Sequence, residues 1–553
     1  MAEGHPQTER RGMMKKRLCR IVAAIATAFT CLAGSAMPAM AAPQQMEDGT
    51  MFDAEYYAQS NPDVVAVLGN SPQMMWAHYK TSGKAEGRLP YAGAPTGNNN
   101  NSNTGAGSLA ALAGKTGCIL VDKNTVGLSL ALTSLPASDD GVLYVVKMGP
   151  FESVPSTGAV ATVALQANPQ ATFALDASSG LYSKYAFCVK QGGAIKVLGT
   201  PQYITNPEVL ATATKPFRAL PSKSTQDEMK TFWNYWMDLP AGRNGAGANT
   251  QMLQVLNSGN DAALLHPYAR VADSHPIPDK TGYYMLNASD WNGVMTMATR
   301  LHNVAAVTNT QDFVIGNEVN ERKWNYVAYM NDDQYIREYM QGFRVCYNAI
   351  KSANANARVF ISIDQRWDCN YPTSNPEHYH FIDGKDFLEK FNSMISAEGN
   401  IDWCVAAHPH LVPLTWSRFW NYNGLAGGSI YQGLVTSGKF MSFQNASMLT
   451  NYLQQPALLS PSGKVRTVVY SEITLAAAPD EASQAAALYA SYYATVTNPY
   501  VEAIIYAQDP STGAYFGAQT KSIYAMMGTD QNAAADAYAK GVIGISNWSQ
   551  VIH

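Results

Sequence analysis

Charge is what this sequence has least of. Of its 553 residues only 14% are Asp, Glu, Lys or Arg, against roughly a quarter in an average soluble protein. Binding to a nucleic-acid backbone needs clustered Lys and Arg, so that partner class is excluded. Cysteine is scarce too: seven in all, which is no disulfide scaffold. Cys118 and Cys188 fall in one β-rich stretch and are free to pair or not. Cys346, Cys369 and Cys404 lack the spacing of a zinc site and read as small buried apolar residues. Long apolar runs are missing as well. Ile21–Ala33 is the longest near the start, short of the roughly 20 residues a membrane span needs, so no transmembrane helix is expected.

What is present begins with a leader. Arg10, Arg11, Lys15, Lys16, Arg17 and Arg20 precede that apolar run, and Ala39-Met40-Ala41 comes after it. Basic, apolar and small-residue regions in that order predict a signal peptide over 1–41, hence a secreted or cell-surface protein. The 512 residues after it hold 32 basic and 40 acidic side chains, a mildly acidic balance. With 10 Trp, 31 Tyr and 17 Phe there is ample material for a core, so disorder of the whole chain is excluded.

Composition then divides the chain. Residues 51–92 read as a small helical module, two amphipathic stretches flanking Gly69-Asn70. Residues 93–107, GAPTGNNNNSNTGAG, have nothing to bury and read as a flexible linker. Residues 108–205 carry short β-like runs such as Cys118–Val121, Gly141–Val146 and Tyr185–Val189, which predicts a β-sandwich. From 206 to 553 strand-like and helix-like segments alternate. Phe313–Gly316, Val359–Ile363, Trp403–Ala407, Val465–Tyr470 and Val501–Ala507 read as strands. Asp332–Ala353, Gly384–Ala397 and Pro479–Val496 read as helices. That rhythm predicts an α/β domain with parallel strands, and its length suits a (β/α)8 TIM-type barrel. The start is compressed: about 50 residues from Phe217 to His266 must supply the first two or three βα units, so an abridged barrel is expected there. Thr225–Trp236 reads as a helix and Gly242–Asn249 as a Gly-rich loop.

Barrel chemistry sits at the C-terminal ends of strands. There the sequence places Asn317 and Glu318, Asp364 and Trp367, His408 and His410, Ser471 and Glu472, and Gln508 and Asp509. Two Glu residues closing different strands suit glycoside hydrolysis, in which one carboxylic acid protonates the leaving oxygen and a second carboxylate attacks the anomeric carbon. His408 and His410 alternate as a metal pair would, but the sequence shows no third ligand, so no metal and no cofactor is expected.

Two resemblances bear on this. Phe52-Asp53-Ala54-Glu55-Tyr56-Tyr57, Asn61-Pro62-Asp63-Val64-Val65 and Gly83-Lys84-Ala85-Glu86-Gly87-Arg88 resemble a short repeat of Gram-positive secreted and wall-associated proteins, which implies cell-wall association through 51–92. Ile315-Gly316-Asn317-Glu318-Val319-Asn320 resembles the fourth-strand Asn-Glu signature of clan A glycoside hydrolases, and Tyr470-Ser471-Glu472 their seventh-strand nucleophile. With His266-Pro267-Tyr268-Ala269-Arg270 and Ala407-His408-Pro409, the stretch from His266 to about Asp509 resembles a bacterial family of unknown function related to that clan. The resemblance implies Glu318 as general acid/base, Glu472 as nucleophile and Asn317 on a sugar 2-hydroxyl. It puts His408 near the nucleophile, and a carbohydrate is the partner it implies. Trp324, Tyr326 and Trp367 would offer aromatic faces to sugar rings, with Asp364 beside them. The sequence departs from that family at Ile473, where Gln is usual, at His410, where Tyr is usual, and at Tyr506-Ala507, where a His-Arg pair is usual. These departures keep open a second outcome, a carbohydrate-binding or cell-surface scaffold protein without turnover.

Overall fold

The computed structural model describes residues 44–46, 51–62, 64–65, 69–83, 88, 90, 107–150, 152–156, 158–211, 215–229, 251–256, 284–286, 290–322, 324–327, 331–369, 381–508 and 513–553. The expected signal peptide, nearly all of the expected linker, Gly242–Asn249, the His266 motif, Asp509 and most of the Thr225–Trp236 helix lie outside these. Among the described residues no helix is long and apolar enough to cross a membrane. The chain falls into two compact units, residues 1–99 and 100–553.

In the first unit, helices Ala54–Ser60 and Pro72–His78 pack around Phe52, Tyr57, Val64, Met75 and Tyr79. Asp53 caps the first helix by accepting from the Glu55 and Tyr56 amides.

The second unit opens with two antiparallel sheets. One joins β1 (Gly117–Leu120), β2 (Thr125–Ser129) and β5 (Gln170–Ala174). The other joins β3 (Val142–Met148), β4 (Ala159–Ala164), β6 (Lys184–Gln191) and β7 (Ala194–Tyr203). Leu120, Val126 and Phe173 of the first share one core with Leu143, Val145 and Phe187 of the second. Cys118 lies in that core, whereas Cys188 points to the opposite face of its sheet, among Val146, Met148 and Ala186. Alternation along β6 separates the two thiols, and all five described cysteines are free and buried.

The rest is a parallel sheet of seven strands with helices on its outer face. The strands are β8 (Lys223–Thr225), β9 (Met252–Val255), β10 (Asp312–Ile315), β11 (Arg358–Ile363), β12 (Trp403–Ala407), β13 (Val468–Thr474) and β14 (Val501–Ala507), in the spatial order β8-β14-β13-β12-β11-β10-β9. Alternation sends Phe313, Val359, Trp403 and Tyr470 outward. There they meet α1 (Trp291–Val307), α2 (Asp332–Ala353), α3 (Gly384–Ala397) and α6 (Glu481–Val496). Between α3 and α6 come α4 (Gly428–Thr436) and α5 (Ser447–Leu453), and α7 (Ala518–Met526) and α8 (Asn532–Ile543) close the chain order. Asp290, Asn331 and Asp480 cap α1, α2 and α6 through their side chains.

The other face curls on itself. Met252 from the β9 edge, Leu220 just before the β8 edge, and Val314, Phe360, Ala406, Val469 and Ile505 between them form a single cluster. The Gln251 carboxamide ties the two edges by donating to the Arg218 and Ala219 carbonyls. Below the cluster sits an ion network, buried at Asp312 and Arg358 and partly exposed at Glu502. Arg358 donates to Asp312 at 2.6 Å and grips Glu502 through both terminal nitrogens, although β14 and β11 stand three places apart in the sheet.

The two-sheet domain is bonded to this layer. The Tyr203 amide donates to the Glu398 carbonyl at 2.9 Å, and Gln202 to that of Ala397 at 2.7 Å. From α2, Asn348 donates to Leu181 O and Gln341 to Pro150 O. Gly399 (φ +111°) completes the seam; a Cβ there would come within 2.7 Å of Thr205.

Candidate active site

Parallel register brings the strand ends to one rim: Ile315 pairs with Ile361, Ile363 with Ala407, and Ala407 with Tyr470. The segments that leave these strands therefore start side by side.

Past β10 the chain turns sharply. Gly316 has φ +82°, and a Cβ there would stand 2.7 Å from Val319 Cγ1, so no larger residue fits. Two residues on, Glu318 has φ +41°, the one positive φ of a non-glycine residue among the described residues. Such a backbone costs of order 1–3 kcal/mol and persists only where its surroundings fix it. Here they do: the Glu318 amide donates to Ser362 Oγ at 2.9 Å and the Val319 amide to Ser362 O at 2.9 Å.

The Glu318 carboxyl meets two histidines. His408 Nδ1 lies 2.9 Å from Oε1, and its Nε2 is 3.4 Å from Ser362 Oγ. His410 Nε2 is 3.9 Å from the same Oε1, while its Nδ1 accepts from the Thr474 amide at 3.1 Å. The three donor atoms lie within 4.8 Å of one another, so Glu318 supplies the third group that the sequence did not reveal beside the histidine pair. Asn317 is almost buried, and Gln254 Nε2 donates to its Oδ1 at 2.5 Å.

Glu472 enters from β13. It lies within the strand, at an irregularity of the β13–β14 ladder between Tyr470 and Ile473. Those two both face the helix layer although three residues apart. A bulge of this kind re-aims a side chain. The Glu472 charge reaches His408: burial pushes the imidazole pKa down, and Glu472 and Asp364 act against that. Burial, with His408 beside it, holds His410 well below the usual range.

Both imidazoles are thus neutral in the fold, whereas in the unfolded chain each takes a proton near pH 6.5. The stability this gives is complete above pH 6.5 and is lost as pH falls below it, by up to about 1.4 kcal/mol per pH unit for each histidine. Denaturant titrations between pH 7 and 5 should show this slope, and His410→Gln should reduce it by about one proton. An unchanged slope in the variant would refute the assignment.

Three expected binding residues sit otherwise. The Asp364 carboxylate is buried and engaged by Asn320 Nδ2 at 2.8 Å, the Arg366 amide at 2.9 Å and Arg366 Nη1 at 2.7 Å. With Glu321 on the same guanidinium, it knits two rim loops together rather than facing a ligand. Trp367 is 4% exposed and packs edge-on against Tyr452; Tyr326 is 3% exposed, against Tyr284 and Arg322. Their ring faces are covered by protein. Trp324 stays half-exposed. Ile473, fully buried in the helix-side core, does not reach the rim. Ser362 and Gln254 went unread in the sequence. The signal was a lone polar residue alternating with inward Phe360 and Met252.

A strained Glu on one strand end, a Glu on a bulged strand three places along the sheet, and a buried His-Ser-His frame define an α/β protein with a carboxylate-centred rim site. The chain belongs to the Family of unknown function (DUF5722), which matches residues 242–551. No match is found among curated proteins. Two solved structures are similar at low level. A family 39 glycoside hydrolase from the gut symbiont Bacteroides cellulosilyticus WH2 shares 11% identity over 73% of this chain and 78% of its own, with a TM-score of 0.30. An FMN-binding beta-glucuronidase from Facaelibacterium prausnitzii L2-6 shares 10% over 75% of this chain and 59% of its own, with a TM-score of 0.24. At these TM-scores neither likeness bears on the chemistry of this chain.

Proposed function

We propose that the chain is a secreted retaining glycoside hydrolase built on a (β/α)8 barrel and acting on a polysaccharide or glycan. The observation that carries the reading is that Glu318 and Glu472, from different strands, both act on His408, one by a 2.9 Å contact and one through its charge. Glu318 protonates the glycosidic oxygen while Glu472 attacks the anomeric carbon. Glu318, now a carboxylate, then takes a proton from the water that releases the sugar. Gln254 holds Asn317 Oδ1, which leaves the carboxamide nitrogen to meet a sugar hydroxyl. Trp324 is the aromatic residue of the three with surface to offer a ring. Export follows from residues 1–41 and wall association from 51–92.

The stereochemistry of turnover tests this. A panel of aryl glycosides is screened, and proton NMR reads the anomer first released. Retention is expected. Inversion, or glycan binding with no turnover on any member, would move the chain to an inverting enzyme or to a binding scaffold.

A further inference from the structure

Glu318, His408 and His410 are spaced as a divalent cation would require, and two His with one Glu is a known catalytic zinc set. Lone pairs decide against it. The Thr474 amide can only donate, so His410 Nδ1 must accept from it. In a neutral imidazole that leaves the proton on Nε2. A nitrogen carrying a proton has no lone pair for a metal. Metal-bound histidines also show the reverse arrangement, with the second nitrogen donating to a carbonyl or carboxylate. A charged His410 would set one N–H against another. The geometry alone therefore makes His410 neutral and turns its Nε2–H toward Glu318.

We propose that His410 is a positioning residue for Glu318: a neutral imidazole, locked by the Thr474 amide, whose Nε2–H closes on Oε1 as the Glu318 carboxyl ionises. This rests on the reading of Glu318 as the acid/base. In the first half-reaction the Glu318 proton leaves with the departing oxygen, and the electron pair of that O–H bond stays on the carboxylate. His408 Nδ1–H and His410 Nε2–H then converge on one oxygen. The present 3.9 Å is roughly 1 Å beyond hydrogen-bond length, a gap that a rotation of the carboxyl closes. Donors to the ionised form make the group a stronger acid. The charged and titratable groups around the pair are Glu318 and His408 themselves, Glu472 and Asp364 acting on His408, and Arg366, which feels Glu318.

Two measurements on the full chain test it. Long-range proton–nitrogen correlation on protein labelled with nitrogen-15 histidine reads the tautomer, His410 being assigned by its loss in His410→Gln. A neutral Nε2–H form at pH 7, unmoved by added zinc chloride, is expected. An Nδ1–H form, a charged ring, or a zinc-induced shift that Glu318→Gln abolishes would overturn the proposal. The second readout is the pH profile of kcat. His410→Phe removes the donor and should move the alkaline limb up by about one pH unit, whereas His410→Gln, which keeps an N–H, should leave the limb in place. If His410→Phe lowers kcat with the limb unmoved, His410 only fills space and the proposal falls. If Glu318→Gln keeps full activity, the acid/base reading fails by itself, and the tautomer result still stands or falls on the spectra.

Discussion

Glu318→Gln lowers kcat on an alkyl-linked or sugar-linked substrate by about 10²–10⁴-fold, the usual worth of a positioned general acid. On an aryl glycoside with an acidic phenol the loss is far smaller in the bond-breaking step, because that leaving group departs without a proton. Glu472→Gln behaves differently. It removes the group that attacks carbon, so turnover collapses on both substrates. The measurement is a two-by-two comparison of kcat for the variants and the leaving groups. Equal losses at Glu318 on both substrates would assign that residue to holding the sugar. Full activity of Glu472→Gln would remove Glu472 from the reaction altogether. Gln preserves the volume of either side chain, and thermal melting checks that the strained turn at Glu318 survives.

The second large effect is on stability. Arg358→Met is expected to cost about 3–5 kcal/mol, because it leaves the fully buried Asp312 without its cation and Glu502, partly exposed, with only the Leu220 amide. Asp312 is fully buried and Arg358 nearly so. Burial pushes the Asp312 carboxyl up, and Arg358 pulls against it. Burial would likewise lower the guanidinium, but Asp312 and Glu502 outweigh it and keep it charged. In a unit of this size the melting temperature should fall by about 5 °C. The triple change Arg358→Met, Asp312→Leu, Glu502→Leu should recover much of that, since well-packed apolar side chains can replace a buried ion network. A triple variant no more stable than the single one would show that Glu502 matters chiefly through its bond to the Leu220 amide.

Much of the outer layer was legible because helix signals are local. Asp332–Ala353 and Gly384–Ala397 keep the bounds read from the sequence, as do strands Trp403–Ala407 and Val501–Ala507. The strand read as Val465–Tyr470 instead runs Val468–Thr474. A bulge adds a residue and breaks the alternation that marks a strand, so Glu472 falls inside it rather than after it. Which way a polar residue points once a strand ends is not local. Asp364 and His408 each come directly after a strand, but only His408 turns inward to Glu318, because Asn320 and Arg366 take hold of Asp364. Burial of Trp367 and Tyr326 is decided by Tyr452 and Tyr284, and no spacing rule links those pairs. Helix Trp291–Val307 escaped reading because its Ala, Thr and Gly positions soften the apolar stripe.

The seam at Gly399 has a practical meaning for anyone cutting this chain. It is made of main-chain bonds and buried carboxamides, with a glycine where the two surfaces come closest. An accessory module joined by a tether can be lost, moved or swapped between proteins. This contact has no such freedom, because each side supplies carbonyls that accept from the other side's donors. A fragment beginning after Ala211 would strand the Asn348 and Gln341 carboxamides and lay the Gly399 corner bare. The two-sheet domain and the parallel sheet therefore belong in one expressed fragment, with its boundary ahead of Gly107.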